Sequence, residues 1–167
     1  MNICPDQSLL LLGRLSLALL LGGIIGLERE HRRKPAGLRT HMLVSLGAAL
    51  FVLVPLSFNC TAPSAEALSR ALQGVATGVG FLGAGEILHG NREAGLNRIH
   101  GLTSAASLWI SAALGVAAGT GQWRLGVIAV VLVLWVLVGV RRLERGVRDR
   151  SKTDDGDSQE GDAQNRE

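Results

Sequence analysis

Apolar residues in this chain stand in long uninterrupted runs. The segment from Leu15 to Leu27 carries no charged residue, whereas a soluble helix or strand alternates apolar and polar positions with a period of about 3.6 or 2. A helix needs about 20 apolar residues to cross a hydrocarbon layer of ~30 Å. The pattern therefore predicts an integral membrane protein made of helices.

Five runs are long enough to span a bilayer, and polar links or links with glycine and proline separate them. The expected spans cover residues 8–27, 41–58, 67–88, 102–119 and 123–140. The first run lacks the cleavage pattern of a signal peptide, so we expect it to remain in the protein. The predicted fold class is all-α, a polytopic transmembrane helix bundle with one membrane domain over residues 8–140.

Lysine and arginine concentrate in three segments that five spans place on one side of the membrane. Residues 28–41 hold five of them, residues 89–101 hold two and residues 141–152 hold six, whereas Arg124 alone lies near a link on the other side. Lys and Arg favour the cytoplasmic side of short loops. We therefore expect a multi-pass membrane protein with an N-out/C-in orientation.

The last segment, residues 141–167, begins basic and continues acidic. From Ser151 onward it has no large apolar residue, so it cannot bury enough surface to offset the entropy of ordering. We expect a disordered cytoplasmic tail.

The net charge of +3 and the pI near 9.5 do not indicate a nucleic-acid partner, because the basic residues flank spans and lack the interleaved aromatic residues that stack bases. The lipid bilayer is the expected partner. Two cysteines without a CxxC pair and four scattered histidines give no zinc or redox motif, so no cofactor is expected. The spans also lack a Ser/His, paired-Asp or HExxH arrangement, which argues against an enzyme.

Small residues recur four positions apart on the predicted helices. Apolar helices gain nothing by leaving lipid for each other, so close backbone approach through small residues becomes a main source of association. These rows predict tight packing within one protomer or in a homo-oligomer, and a path lined by glycine backbone in the third span is the alternative. The helix-packing candidates are Gly22, Gly26, Gly74, Gly78, Gly80, Ser107, Ser111 and Gly115.

Ionisable residues in or near spans are functional candidates, because they are costly in a bilayer. Glu86 is expected at the same membrane level as Glu28, Arg29 and Arg39, where the four form either a structural ion-pair network or a cation site. Magnesium takes one or two carboxylates and keeps several waters, so Glu28 and Glu86 are weak candidate ligands.

Other polar and aromatic residues receive simpler interpretations. Arg14 and Arg70 lie near the outer ends of their spans and are expected to extend toward headgroups. Thr103, at the start of the fourth span, is expected to cap it or bridge to a neighbouring helix together with Ser104 and Ser107. The histidines are expected to be solvated, since they fall in or beside the two cytoplasmic loops. Trp109 is expected inside the bundle and Trp123 at the outer interface.

Four stretches, taken in order, resemble the membrane domain of the MgtC/SapB family. They are GGIIGLERE at 22–30, GLRTH at 37–41, GVGFLGAG at 78–85 and GLTSAASLW at 101–109. The resemblance covers about residues 9–140 and implies a bacterial inner-membrane protein with magnesium-related physiology. In the better-known members it implies adaptation to low magnesium and an inhibitory contact with the F-type ATP synthase, without established magnesium transport. Many relatives add an ACT-like domain, so the SapB-like short form is the closer comparison.

The resemblance and the span pattern together favour a non-enzymatic modulator of magnesium or membrane-energy homeostasis that contacts another membrane protein or a second copy. The alternative is a small transporter or channel for a divalent cation or another solute. No span carries an acidic residue near its middle, which argues against the alternative, whereas the glycine-rich third span argues for it.

Cys4 and Cys60 both fall on the predicted outer face. Disulfides persist in oxidising compartments, but a bridge requires Cα atoms within ~7 Å. The sequence leaves open both a disulfide and two independent thiols.

We predict that reporter fusions after Pro35, after Arg92 and after Arg150 all give cytoplasmic signals and that a fusion after Pro63 gives an external one, because the Lys and Arg bias agrees at every loop. Paired alkaline phosphatase and fluorescent-protein fusions at each site measure this. An external signal at Arg150 would exclude a five-span chain with this orientation.

Overall fold

The structure, a computed structural model, describes residues 7–57, 65–94 and 101–140, and all the regular elements in these ranges are helices. They are α1 (Gln7–His31), α2 (Leu38–Ser57), α3 (Ala65–Ala94), α4 (Leu102–Gly119) and α5 (Trp123–Trp135), and a π-helical turn (Val136–Val140) follows α5. Five helical segments, the last including that turn, are long and apolar enough to cross a membrane. The all-α, five-span prediction is confirmed, and the N-out/C-in orientation stays a prediction.

The chain divides into two compact units between Val130 and Val131, inside α5. The first unit holds α1 to α4 and the beginning of α5. The second unit is described over residues 131–140, which form the end of α5 and the π-helical turn. The predicted tail and the pair Cys4 and Cys60 lie outside the described residues.

Helices α2 and α4 form the centre of the first unit. They contact each other, and each of them contacts both α1 and α3. The most apolar stretch of α4 is 61% buried, whereas that of α3 is 11% buried, so α4 is the innermost span. Much of the core is built from small side chains that let helix backbones approach closely, among them Ala18, Ala48, Ala49, Ala112, Ala117 and Ala118.

Glycines mark the closest contacts between helices. A Cβ atom added at Gly22 would lie 2.6 Å from the His41 carbonyl oxygen, and one at Gly26 would lie 2.8 Å from the Leu38 Cα atom. A Cβ at Gly115 would collide with the backbone of Ser45. Helix α2 is therefore in backbone contact with α1 on one side and with α4 on the other.

Three glycines of α3 were predicted to pack closely against other helices, but within one chain they do not. A Cβ atom added at Gly74, Gly78 or Gly80 would meet nothing within 4 Å. These residues therefore do not mediate close packing within one chain, although they share their four-residue spacing with Gly22 and Gly26. Contact with a second copy through α3 stays a prediction.

One other expectation is corrected. Trp109 was expected inside the bundle, but its side chain is 47% exposed on α4. The extension of Arg14 toward headgroups stays a prediction, and its guanidinium donates a hydrogen bond of 3.0 Å to the Gly119 carbonyl at the end of α4.

The described links, between α1 and α2 and between α4 and α5, are held by backbone hydrogen bonds. Gly121 has a φ of 81°, and its N–H and that of Gln122 bond to the Ala118 and Ala117 carbonyls, which is the Schellman arrangement for ending a helix. Arg33, with a φ of 50°, ends α1 in the same way. The Glu30 carboxylate then accepts the Leu38 backbone N–H at 2.9 Å and so caps the start of α2.

We predict that Gly115→Ala destabilises the protein by about 1–3 kcal/mol, because the new methyl group forces the backbones of α4 and α2 apart. The matched control is Gly80→Ala, which adds the same group on an open helix face and is expected to be neutral or stabilising by about 0.5–1 kcal/mol. Thermal unfolding in detergent measures both. Equal unfolding midpoints for the two variants would contradict the close α2–α4 contact.

Candidate functional site

One end of the first unit, here called the loop end, contains a cluster of buried polar side chains. It is formed by the last turns of α1, the loop from Arg32 to Gly37, the first turns of α2 and α4, and α3 around Glu86. The cluster consists of Arg29, His41, Ser104 and Ser107, which are all at most 3% exposed.

Arg29 connects α1 to α4. Its guanidinium donates a 2.7 Å hydrogen bond from Nη2 to the Ser104 hydroxyl. Moving a charge out of water costs several kcal/mol unless hydrogen bonds and partners compensate. The Ser104 contact therefore constrains how α1 packs on α4.

His41 connects α2 to α4 and is completely buried. Its Nδ1 lies 2.8 Å from the Gly37 carbonyl oxygen, and because a carbonyl can only accept, Nδ1 must carry a proton. The other ring nitrogen, Nε2, lies 3.0 Å from the Ser107 hydroxyl. The backbone of α2 thus orients the imidazole ring and aims Nε2 at α4.

The two serines of α4 are joined to each other. The Ser107 hydroxyl donates to the Ser104 carbonyl at 2.7 Å, because residues three apart lie on the same face of a helix. One turn of α4 therefore receives Arg29 from α1 and His41 from α2.

Acidic side chains border the cluster. Glu28 pairs through Oε1 with Arg32, whereas Glu28 Oε2 and Glu86 Oε1 are buried and have no hydrogen-bond partner among the residues that the structure describes. Both carboxylates and the Arg29 guanidinium lie within electrostatic range of the His41 ring. The loop end therefore holds charges of both signs around a buried imidazole.

Gly101 brings the start of α4 against α3 at the level of Glu86. Its φ of 94° belongs to the left-handed region, and a Cβ atom there would lie 3.0 Å from the Glu86 carbonyl oxygen. A larger residue would be strained by both the backbone conformation and the contact. This glycine positions Glu86 close to the helix that carries Ser104 and Ser107.

The structure brings together three of the functional candidates from the sequence, Glu28, Arg29 and Glu86, and separates the others from them. Arg39 and Thr103 are exposed. Arg70 is exposed and pairs with Glu66 at 2.5 Å, in the first turns of α3. The expected association of Arg39 with the acidic residues is therefore not found.

The histidine interpretation needs correction at one position. His31 is exposed, as expected for a loop residue, but His41 is buried within α2. The signal in the sequence that could have indicated burial of His41 is its position four residues after Gly37. This spacing places the ring in the first turn of α2, within reach of the Gly37 carbonyl. The side chains of His89 and His100 lie outside the described residues.

The His41–Ser107 contact is a Ser/His pair, which the sequence analysis did not expect in the spans. Both side chains are buried, and the Ser107 hydroxyl is directed at the Ser104 carbonyl. The pair therefore lies out of reach of a substrate and joins helices. Among the described residues, no group of three or more His, Cys, Asp or Glu side chains could hold a metal ion.

Comparison with known proteins gives consistent matches. The model of the MgtC family matches residues 15–146. Protein SrpB of Synechococcus elongatus is 50% identical over 137 residues, which are 79% of this chain and 75% of that protein. No solved structure gives a significant match.

Two further relatives are longer than the matched region. A protein of Escherichia coli named putative magnesium transporter YhiD is 44% identical over 128 residues, which are 74% of this chain and 57% of that protein. Protein MgtC of Salmonella choleraesuis is 37% identical over 140 residues, which are 84% of this chain and 56% of that protein. The chain thus spans somewhat more than half the length of these two relatives.

We predict that Ser104→Ala destabilises the protein by about 1.5–3 kcal/mol, because it removes a hydrogen bond to a buried charged group. Thr103→Ala is the matched control, since Thr103 is the exposed neighbour on the same helix, and its effect should stay within about 0.5 kcal/mol. Unfolding curves in detergent compare the two. A Ser104→Ala variant as stable as the control would show that the burial of Arg29 does not require its hydrogen bond to α4.

Proposed function

The chain belongs to the MgtC family, and on that premise we propose that it is a non-enzymatic, multi-pass protein of the inner membrane that modulates magnesium or membrane-energy homeostasis. Its loop end faces the cytoplasm in this proposal, since the basic segment 28–41 lies there. The modulatory role is exerted through contact with another membrane complex, for which the family resemblance suggests the F-type ATP synthase.

The observation that carries the proposal is the uneven distribution of polar groups along the core. Arg29, His41, Ser104 and Ser107 lie at the loop end, and the buried Ser45 and Ser111 continue the polar groups to about the middle of α2 and α4. Toward the other end the buried positions of α2 and α4 are apolar: Ala49, Val52, Leu53, Leu114, Ala117 and Ala118. An ion crossing the bilayer needs polar groups or water along its path. The apolar half of the core favours a responsive site at one end over a conducting path through the centre.

Glu28 and Glu86 are the residues through which the loop end would respond. Each has a buried carboxylate oxygen that finds no hydrogen-bond partner within the described ranges 7–57, 65–94 and 101–140. A magnesium ion takes one or two carboxylates and otherwise keeps its water ligands, so these two oxygens suit a hydrated cation. Occupancy there would change the charge balance around His41 and Arg29, and with it the contacts that connect α1, α2 and α4.

A transporter is the second candidate, because a relative with 44% identity is named a putative magnesium transporter. The two candidates differ in what the purified protein does. A transporter carries magnesium across a vesicle membrane by itself, whereas a modulator changes the energetics of the cell and carries no flux.

We predict that a strain without this gene grows poorly at limiting magnesium with altered cellular ATP and membrane potential, and that the wild-type gene restores all three. Glu86→Gln should fall to the level of the deletion strain, because it removes a charge from the loop end while keeping the side-chain volume. Arg39→Gln, at an exposed position of the same end, should restore growth fully and serves as the control.

Flux through purified protein in vesicles provides the separate test of mechanism. We expect magnesium entry, followed with an internal fluorescent indicator, to equal that of protein-free vesicles. Flux above that level would overturn the modulator and support the transporter. Full complementation by Glu86→Gln would instead move the responsive site away from the loop end.

A further inference from the structure

At the end of the first unit opposite the loop end, a groove lies between α1 and the turn that joins α4 to α5. Its volume is about 580 Å³, and its lining includes Leu10, Gly13, Arg14, Leu17 and Trp123. We call it the Arg14 groove. Its size falls within the range of small-molecule sites, roughly 300–1,000 Å³.

The groove has an open apolar wall, and Arg14 is the charged residue among the described residues that line it. A Cβ atom at Gly13 would meet nothing within 4 Å, so this glycine leaves the wall of α1 open. Leu10 and Leu17 flank it one turn away on either side. Arg14 then places a guanidinium at the edge of an otherwise apolar surface.

Arg14 lies at a depth where a phosphate can reach it. The first candidate span, Ser8–His31, has 24 residues and so is about 36 Å long, somewhat more than a hydrocarbon layer of ~30 Å. Arg14 is about 9 Å from the start of that span, and an arginine side chain extends toward the headgroups from such a position.

The charge of Arg14 is not matched by an acidic side chain among the residues that the structure describes. The ion pairs found there join Arg32 to Glu28 and Arg70 to Glu66. Arg14 donates one bond to the Gly119 carbonyl, but a guanidinium has five N–H donors in a planar fork that matches phosphate oxygens. An anion at this place would complete its coordination.

Trp123 and Arg124 mark the same level as the membrane–water interface. The Arg14 guanidinium packs against Gly121, two residues before Trp123, and the Arg124 Cζ atom lies 5.3 Å from the centre of the Trp123 ring. Tryptophan prefers the headgroup region. Two cations therefore lie near an interfacial tryptophan beside an apolar groove.

We propose that the Arg14 groove binds an anionic phospholipid, with the phosphate on Arg14 and an acyl chain along α1 beside Gly13. A second groove, between α2 and α3, provides the internal comparison. It has a volume of about 430 Å³ and is lined by residues such as Leu43, Gly47, Gly74 and Gly78, with no charged side chain. Charge complementarity selects the Arg14 groove as a site for an anionic lipid.

The test uses Trp123 as a reporter. Trp109→Phe and Trp135→Phe leave Trp123 as the single tryptophan, and this protein is reconstituted in phosphatidylcholine vesicles with a minor fraction of brominated phosphatidylglycerol. We expect quenching to show about a fivefold enrichment of the anionic lipid over its bulk fraction. The same fraction of brominated phosphatidylcholine should show no enrichment.

Variants in the same background assign the site. Arg14→Gln should abolish the enrichment. Gly13→Leu should abolish it as well, because the leucine fills the groove while Arg14 keeps its bond to Gly119. This second variant separates lipid binding from any loss of stability in Arg14→Gln. Arg70→Gln removes an equal charge from an exposed position in the first turns of α3, away from the groove, and should leave the enrichment unchanged.

Several results would overturn the proposal. Equal quenching by the two brominated lipids in the single-tryptophan protein that keeps Gly13 and Arg14 would exclude a preference for anionic lipid. Enrichment that survives in both Arg14→Gln and Gly13→Leu would place the lipid elsewhere. Enrichment that is lost in Arg70→Gln would show that the anionic lipid responds to the general surface charge of the protein. Competition by millimolar inorganic phosphate would indicate a site for free phosphate in place of a lipid.

Discussion

A guanidinium inside a helix bundle has to be hydrogen-bonded, because the desolvation of an unpaired charge costs more than most single contacts return. Arg29 is held by Ser104, and this fixes the turn of α4 against which the end of α1 packs. His41 approaches the same turn from α2 and contacts Ser107. Three helices are thus set in register by one short segment of the fourth span. The acidic residues Glu28 and Glu86 border the cluster that holds these three helices together.

Small residues are a condition for these hydrogen bonds. A serine hydroxyl is short, so it reaches a neighbouring helix only where the two backbones are close. Gly22 lets α1 approach α2 at Ser45, and the Ser45 hydroxyl donates to the Ala18 carbonyl at 2.7 Å. Gly115 allows the corresponding approach of α4 to the backbone of Ser45. The glycines therefore allow the helix backbones to come close, and the serines form hydrogen bonds across the short distance that results.

The number of the spans could be predicted from sequence because the transfer of a segment into lipid depends largely on its composition, whereas the helices α1 and α2 extend three or four residues beyond the spans expected at the loop end. The inward face of each helix could not, because lipid and protein core are both apolar and leave no periodic signal. Gly74 and Gly78 have the same spacing as Gly22 and Gly26 but face open space. Trp109 is exposed on the innermost helix for the same reason. His41 was misread because its charged surroundings in sequence suggested a loop, whereas α2 already begins at Leu38. The acidic pair was found because carboxylates beside spans are rare and few arrangements explain them.

The central position of α4 has a consequence for biogenesis. Ser104 follows Arg29 by 75 residues, which a ribosome adds in about 4–15 s at roughly 5–20 residues per second. During that interval α2 and α3 are still being synthesised, and Arg29 and His41 have not met their serines. Both lie at the end of the bundle, next to the aqueous phase, where water can solvate them until the fourth span arrives. At mid-membrane depth the same two side chains would stay desolvated and unpaired for that time, which costs several kcal/mol for a charge. The place of the polar cluster thus suits the order in which the chain is made.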